Sequence, residues 1–224
     1  MYKISLLMSH STVLAADFMV AEEKKIDNMN ILERGLKRFG DIIASLLGLI
    51  CLSPLFIIIY IIQKLTSKGP AIFSQERIGY KGKPFNIYKF RSMVVQAEVN
   101  GPELAEKGDN RLTKFGKFLR EHHLDELPQL WNVLIGDMSL VGYRPERQYY
   151  INQIKQLNPN YDLLYCSRPG ITSYATIYNG YTDTMEKMLR RLELDLEYLR
   201  NRTLWMDIKI ILKTVFSVGK GDKI

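Results

Sequence analysis

The stretch IIASLLGLICLSPLFIIIYII, residues 42–62, runs for 21 positions without a charge. As one helix it would be about 31 Å long, enough to cross the hydrocarbon core of a bilayer. Ser53-Pro54 sits at its centre. Proline has no N–H, and its ring clashes with the carbonyl four residues back, here that of Ile50. A break there leaves two arms of about 17 Å, each too short to span. The Ser53 hydroxyl is placed to bond a carbonyl freed at the bend. Both flanks are basic, with Arg34, Lys37 and Arg38 before the run and Lys64, Lys68, Arg77, Lys81 and Lys83 after it. Basic flanks stay on the cytoplasmic side, so both ends qualify for that side. Spanning helices tolerate proline when neighbours satisfy the freed carbonyl. These residues therefore leave a re-entrant helix and a kinked spanning helix both open.

Charge outside the run narrows the class of partner. The 224-residue chain has a net charge of +7, which points to an anionic partner. Residues 30–100 hold ten Lys or Arg against four Asp or Glu, and they enclose the apolar run. Basic charge beside greasy sequence favours a membrane surface over a nucleic acid, whose binders need no such run. With 46% apolar and 25% charged residues the chain is neither disordered nor of low complexity. Its two cysteines, Cys51 and Cys166, exclude a disulfide scaffold and a Cys-rich zinc module. Residues 1–28 lack the basic, membrane-facing character of the segment that begins at Met29. They are expected to be a dispensable extension, so that a chain beginning at Met29 keeps activity and membrane binding. Residues 29–68 are then the membrane segment, 69–219 a folded domain and 220–224 a tail.

Downstream, Ala71–Ser74 and Phe85–Phe90 read as strands joined by the turn-forming Gly-Tyr-Lys-Gly-Lys-Pro of residues 79–84. Apolar residues at helical spacing predict helices over Leu112–His123, Asp125–Ile135, Arg147–Gln156, Asp183–Arg202 and Leu204–Val218. Asp125 is the expected N-cap of the second, with Gly136 ending it. The last, with Trp205 at one end, suits either an interfacial helix or a core helix.

Four potential ligands, His122, His123, Asp125 and Glu126, lie within five residues and suggest a metal or acid–base site. Adjacent carboxylates are also common on surfaces, and a capping Asp is often only a cap. A helix start favours phosphate and keeps a carboxylate ionised, so an Asp there is a plausible nucleophile if a cation offsets the repulsion. Arg91, Arg144 and Arg168 stand in loops that share Pro, Gly or Ser neighbours, which suits bidentate phosphate contacts. Neither common glycine-rich nucleotide cradle is present.

Taken in order, these segments resemble the small monotopic phosphoglycosyl transferases, the bacterial sugar transferase family. The resemblance runs from about Arg34 to Gly219. It is carried by the Ser53-Pro54 opening, Phe73–Gly79 (FSQERIG), Tyr88–Met93 (YKFRSM), Leu124–Val133 (LDELPQLWNV), Gly136–Gly142 (GDMSLVG), Arg168–Thr172 (RPGIT) and Trp205–Lys209 (WMDIK). It implies an α+β, helix-rich fold: a re-entrant helix broken at Ser53 and Pro54, a cytoplasmic α/β catalytic domain and amphipathic interfacial helices. It implies a monotopic enzyme in one leaflet, at the cytoplasmic face of the bacterial inner membrane. Its substrates would be a nucleoside diphosphate sugar, normally a UDP-sugar, and polyprenyl phosphate, with no nucleic acid partner. Asp125 would attack the β-phosphate and release UMP, and polyprenyl phosphate would then take the phosphosugar. Mg²⁺ would bridge Asp125 and the diphosphate. Glu126 would complete an Asp-Glu dyad, and Arg144 and Arg168 would hold phosphates, helped by Lys89, Arg91 and Arg120. Two segments depart from the family pattern. Gly142-Tyr143-Arg144-Pro145 stands where Gly-Pro-Arg-Pro is usual, which is expected to put an aromatic ring near the nucleotide. After Thr172, Ser173–Tyr181 replaces the usual Gly-Trp-Ala-Gln-Val-Asn-Gly-Arg. A membrane-anchored scaffold without activity is the rival reading.

Overall fold

The computed structural model describes residues 26–98, 101–104, 109–180 and 182–220. Helix α1 (Ile31–Cys51) starts at Asn30, whose side chain accepts from the Glu33 amide while the Asn30 N–H donates to the Glu33 carboxylate. This reciprocal cap fixes the start of the helix one turn before the basic flank. Helix α2 (Ser53–Thr66) follows after Leu52 alone, and the two axes are bent by 58°. The Ser53 hydroxyl donates to the Ile50 carbonyl at 2.8 Å, the group that Pro54 strips of its partner. Among the described residues no single helix is long and apolar enough to cross a membrane; only the bent pair passes, by length and composition.

Helix α1 is polar on its inner side and apolar on its outer side. Arg34, Arg38, Asp41, Ser45 and Gly48 recur every three or four residues, with Lys37 beside Arg38, and this helical stripe meets the rest of the protein. Asp41 and Ser45 are buried, whereas Ile31, Leu36, Phe39, Leu47 and Ile50 are exposed. The stripe makes specific bonds. Asp41 accepts from the Ser139 hydroxyl and the Leu140 amide, Arg38 donates to the Val133 and Leu134 carbonyls, and Lys37 pairs with Asp207 at 2.5 Å. Charge-assisted bonds of this kind fix orientation as well as contact.

The remainder is α+β. Strands β1 (Ile72–Ile78) and β2 (Pro84–Phe90) form the expected antiparallel hairpin, with Ile72 opposite Phe90, and β1 extends beyond the strand read from sequence. Helix α3 (Lys114–Glu121) is capped by Thr113. Helix α4 (Gln129–Ile135) packs on β2, where Asn132 donates to the Asn86 carbonyl and accepts from the Tyr88 amide. Strands β3 (Ser139–Val141) and β4 (Gly170–Thr172) pair in parallel, a contact that no local pattern announced. A Cβ at Gly142 would collide with the Arg168 carbonyl oxygen, so only glycine lets the two segments approach there. Helices α5 (Gln148–Leu157), α6 (Tyr174–Asn179), α7 (Met185–Asn201) and α8 (Leu204–Lys220) complete the fold. The main core joins α5, α7 and α8 around Tyr143, Ile151, Leu192 and Leu199. A second core seats Ile59 of α2 on Phe90 and Leu119. Helix α8 buries Asp207 and Ile210 and exposes Trp205, Leu212, Val215 and Phe216, so it is two-faced rather than a core helix.

The boundary expected at residue 28 cuts through a buried cluster. Asp27 is 5% exposed and receives Nε and Nη2 of Arg202 at 2.7 and 2.5 Å, with Arg34 at 2.9 Å. The Asn28 amide bonds the Leu199 carbonyl. The expectation for a chain beginning at Met29 is therefore revised, because it would leave Arg202 buried without its carboxylate partner. Losing one partner of a buried pair costs about 3–5 kcal/mol. Thermal unfolding should show that loss for a start at Met29 and for Asp27→Ala. Residues 1–25 and 221–224 lie outside the described residues.

Candidate active site

After α3 the chain turns at His123, which takes a left-handed conformation (φ 53°) and leads into one turn of 3-10 helix, Leu124–Glu126. Asp125 therefore lies inside that turn, and α4 begins later, at Gln129, without a side-chain cap. This corrects the expected N-cap role: the Asp125 carboxylate is not set at a helix terminus. Its environment comes from burial. Asp125 is 5% exposed, and among the described residues nothing donates a hydrogen bond to its carboxylate. Desolvation pushes its pKa up to about 6, against the pull of Lys89, with Glu126 pushing further up and Arg120 and Arg144 pulling down.

Glu126 has the opposite character. It accepts from Lys89 Nζ at 2.6 Å and from Arg144 Nη2 at 2.9 Å, both on Oε1. Burial alone would raise its pKa, but Arg144 and Lys89 outweigh burial and hold it well below the usual carboxylate range. Lys89 comes from β2 and is held below the usual lysine value by burial, against Glu126. Arg144 follows β3, and Glu126 holds its guanidinium above its ordinary value. Two adjacent carboxylates are thus pushed apart, one held toward the ionised form between cations and the other raised to about 6.

The structure gathers Asp125, Glu126, Lys89 and Arg144, with Arg120 acting on Asp125 through its charge. Two of the arginines expected to hold phosphate stand elsewhere. Arg91 donates to the Ser67 hydroxyl at 2.5 Å, and its other terminal nitrogen faces Gly69, so it braces the exit of α2. Arg168 donates through Nε to the Gly136 carbonyl and lies 5.0 Å over the Tyr80 ring. It lines a separate basic cavity with Arg34, Arg38 and Arg202. The small cleft beside Glu126 is lined by Arg77, Ile87, Lys89, Gln129, Arg144 and Pro145. The three arginine loops therefore do not converge on one spot.

Of the histidines, His123 stays beside the cluster, where burial lowers its pKa against the pull of Glu126, and His122 leaves it. His122 caps α3 through the Phe118 carbonyl and packs on the Phe118 ring, and among the described residues no three His, Cys, Asp or Glu side chains gather as a metal cage. Tyr143 is fully buried in the main core beside Tyr165 and Cys166, which corrects the expectation of an aromatic ring near a nucleotide. Of the late tyrosines, Tyr174 and Tyr178 pack together on α6, where Lys213 of α8 bonds the Tyr178 hydroxyl; Tyr181 lies outside the described residues.

Sequence reasoning assigned no role to Glu146 or Gln129. Glu146 is buried and bridges Arg77 of β1 and Arg191 of α7, while Arg77 also donates to the Pro145 carbonyl. This network holds the loop that carries Arg144. Gln129 is one helical turn beyond Asp125, a spacing legible in the sequence as a shared side.

Comparison with known proteins agrees with this architecture. A UDP-glucose:undecaprenyl-phosphate glucose-1-phosphate transferase from Klebsiella pneumoniae is 48% identical over 84% of this chain and 41% of its own length. A protein of the same name from Caulobacter vibrioides is 41% identical over 83% of this chain and 70% of its own. A UDP-N-acetylgalactosamine-undecaprenyl-phosphate N-acetylgalactosaminephosphotransferase from Aeromonas hydrophila is 39% identical over 83% and 44%. The chain spans about two-fifths of the length of several of these relatives. The sequence profile named Bacterial sugar transferase matches residues 32–221, from the first turn of α1 through α8, and the chain belongs to that family.

Proposed function

We propose that this protein transfers a sugar 1-phosphate from a UDP-sugar to polyprenyl phosphate and releases UMP. The observation that carries the reading is the pairing of a buried, unbonded Asp125 carboxylate with a Glu126 that holds Lys89 and Arg144 beside it. Relatives named for transfer from UDP-glucose or UDP-N-acetylgalactosamine to undecaprenyl phosphate support it.

In the first half-reaction an Asp125 oxygen attacks the β-phosphorus. A phosphorus–oxygen bond forms there, the bond to the bridging oxygen breaks, and UMP leaves with that electron pair. In the second, an oxygen of polyprenyl phosphate attacks the same phosphorus and returns the Asp125 carboxylate. A carboxylate without hydrogen bonds and largely withdrawn from water is a stronger nucleophile than a fully solvated one. Lys89 and Arg144 stabilise charge on the phosphate oxygens, and Glu126 keeps both in position. The donor set suits Mg²⁺, which takes one or two carboxylates and completes its octahedron with substrate phosphates and water. Asp125 is the residue that would hold it, and the ion would neutralise diphosphate charge.

Helix α1 supports a membrane placement. A helix with its polar stripe inward and its apolar side outward has the reverse of a soluble surface helix. Helices α1, α4 and α8 adjoin through Arg38 and Lys37, and each exposes large apolar residues, including Phe39, Trp131, Ile135, Trp205 and Phe216. We read these as seated in one leaflet at the cytoplasmic face of the bacterial inner membrane, with the bend at Ser53 and Pro54 returning the chain to its own side. The test is UMP release from a panel of UDP-sugars by the purified membrane-bound protein. Release that requires both Mg²⁺ and polyprenyl phosphate for multiple turnover is expected; no release from any UDP-sugar would leave the inactive scaffold as the better reading.

A further inference from the structure

The cavity beside Glu126 contains two buried donors with no acceptor among the described residues. They are Nε2 of Gln129, a residue 1% exposed, and Nε of Arg77. Burying an amide N–H without a partner costs about 1–3 kcal/mol. Two such groups lining one cavity are a signal that an acceptor enters it. The other polar residues of that lining are also donors: Lys89 and Arg144 carry cationic nitrogens, and their shared acceptor, Glu126, lies to one side. Nη1 of Arg77 is committed to Glu146 and the Pro145 carbonyl and Nη2 gives one of its two N–H groups to Gln75, so Nε is the nitrogen left wholly without an acceptor. Gln129 is fixed by its place at the start of α4, which Asn132 stitches to β2.

We propose that Gln129, with Nε of Arg77, completes a phosphate cradle with Lys89 and Arg144, in which the Gln129 amide donates to a non-bridging oxygen of the bound diphosphate. A phosphate presents several acceptor oxygens and no donor at neutral pH, so it can satisfy all four residues together. A neutral amide adds a directed donor without adding positive charge next to Lys89 and Arg144, which a further lysine or arginine would do. The cradle rests on the diphosphate reading of the Asp125 site, and binding without turnover separates the two.

The experiment is direct titration of the full chain, in lipid nanodiscs with Mg²⁺, by UDP and by inorganic pyrophosphate, with no turnover required. Gln129→Ala should weaken both ligands by about tenfold or more. Gln129→Glu, close in shape but acidic and without the donor, should weaken them further while its melting temperature stays near that of the parent. Parent-like binding of both ligands by Gln129→Glu would overturn the proposal and leave Gln129 as packing. Absence of binding to the unaltered chain would also overturn it. If pyrophosphate binds in a Gln129-dependent way but no UDP-sugar is turned over, the cradle stands and the transferase reading falls.

Discussion

Replacing Asp125 by Asn should abolish turnover, by roughly 10³-fold or more, and should raise the melting temperature at neutral pH. Asn cannot attack phosphorus, yet it nearly preserves the shape of Asp. The stability gain follows from linkage. The folded pKa of about 6 lies above the ordinary value of 3.8, so the protonated form is favoured by folding. The stability this contributes is complete below the ordinary value and is lost as pH rises through about 6. Above that point the ionised carboxylate costs up to ~3 kcal/mol, which Asn removes. The unaltered protein should in turn lose activity as pH falls through about 6, as its nucleophile becomes protonated. Mass spectrometry of the chain incubated with UDP-sugar and Mg²⁺, without polyprenyl phosphate, should find one phosphosugar on the peptide containing Asp125. Substantial turnover by Asp125→Asn, or an adduct on another residue, would reject the covalent route in favour of direct attack by polyprenyl phosphate.

Glu126→Gln should move stability the other way. Glu126 neutralises both Lys89 and Arg144 through one oxygen. Without it two half-buried cations face each other, at a cost of about 2–4 kcal/mol once partial solvent exposure is allowed for. Lys89, already held below its usual pKa by burial, would fall further without Glu126. Turnover should drop because the phosphate-facing cations are no longer held in place. The adjacent Asp125→Asn and Glu126→Gln thus have opposite signs in a melting curve and the same sign in an activity assay. Equal destabilisation by both would mean that the dyad is only a structural ion cluster.

Features that depend on covalent and local geometry were legible in the residues themselves. Pro54 removes an N–H and crowds the Ile50 carbonyl wherever it is placed, and Ser53 stands beside the bend, so the break and the bond that relieves it were both readable. The turn at residues 79–84 and the helical spacing of α5, α7 and α8 were readable for the same reason: their partners are near in sequence. Features that depend on distant partners emerged only when the chain closed on itself. The parallel pairing of β3 with β4 joins segments about thirty residues apart, each too short to carry a pattern. Asp125 looked like a helix cap because Leu127, Pro128 and Leu130 suit a helix that starts there. The left-handed His123 and the packing of Leu124 and Leu127 under α2 delay that helix and leave the carboxylate buried instead. Arg91, Arg144 and Arg168 were alike as sequence. They separate because Ser67, Glu126 and the Gly136 carbonyl, three acceptors on three different elements, each claim one guanidinium. Asp27 was indistinguishable from a tail residue until Arg202, 175 positions away, closed on it. A carboxylate's burial and its cation are both long-range facts, and they set whether it titrates near its ordinary value or, like Asp125, at about 6.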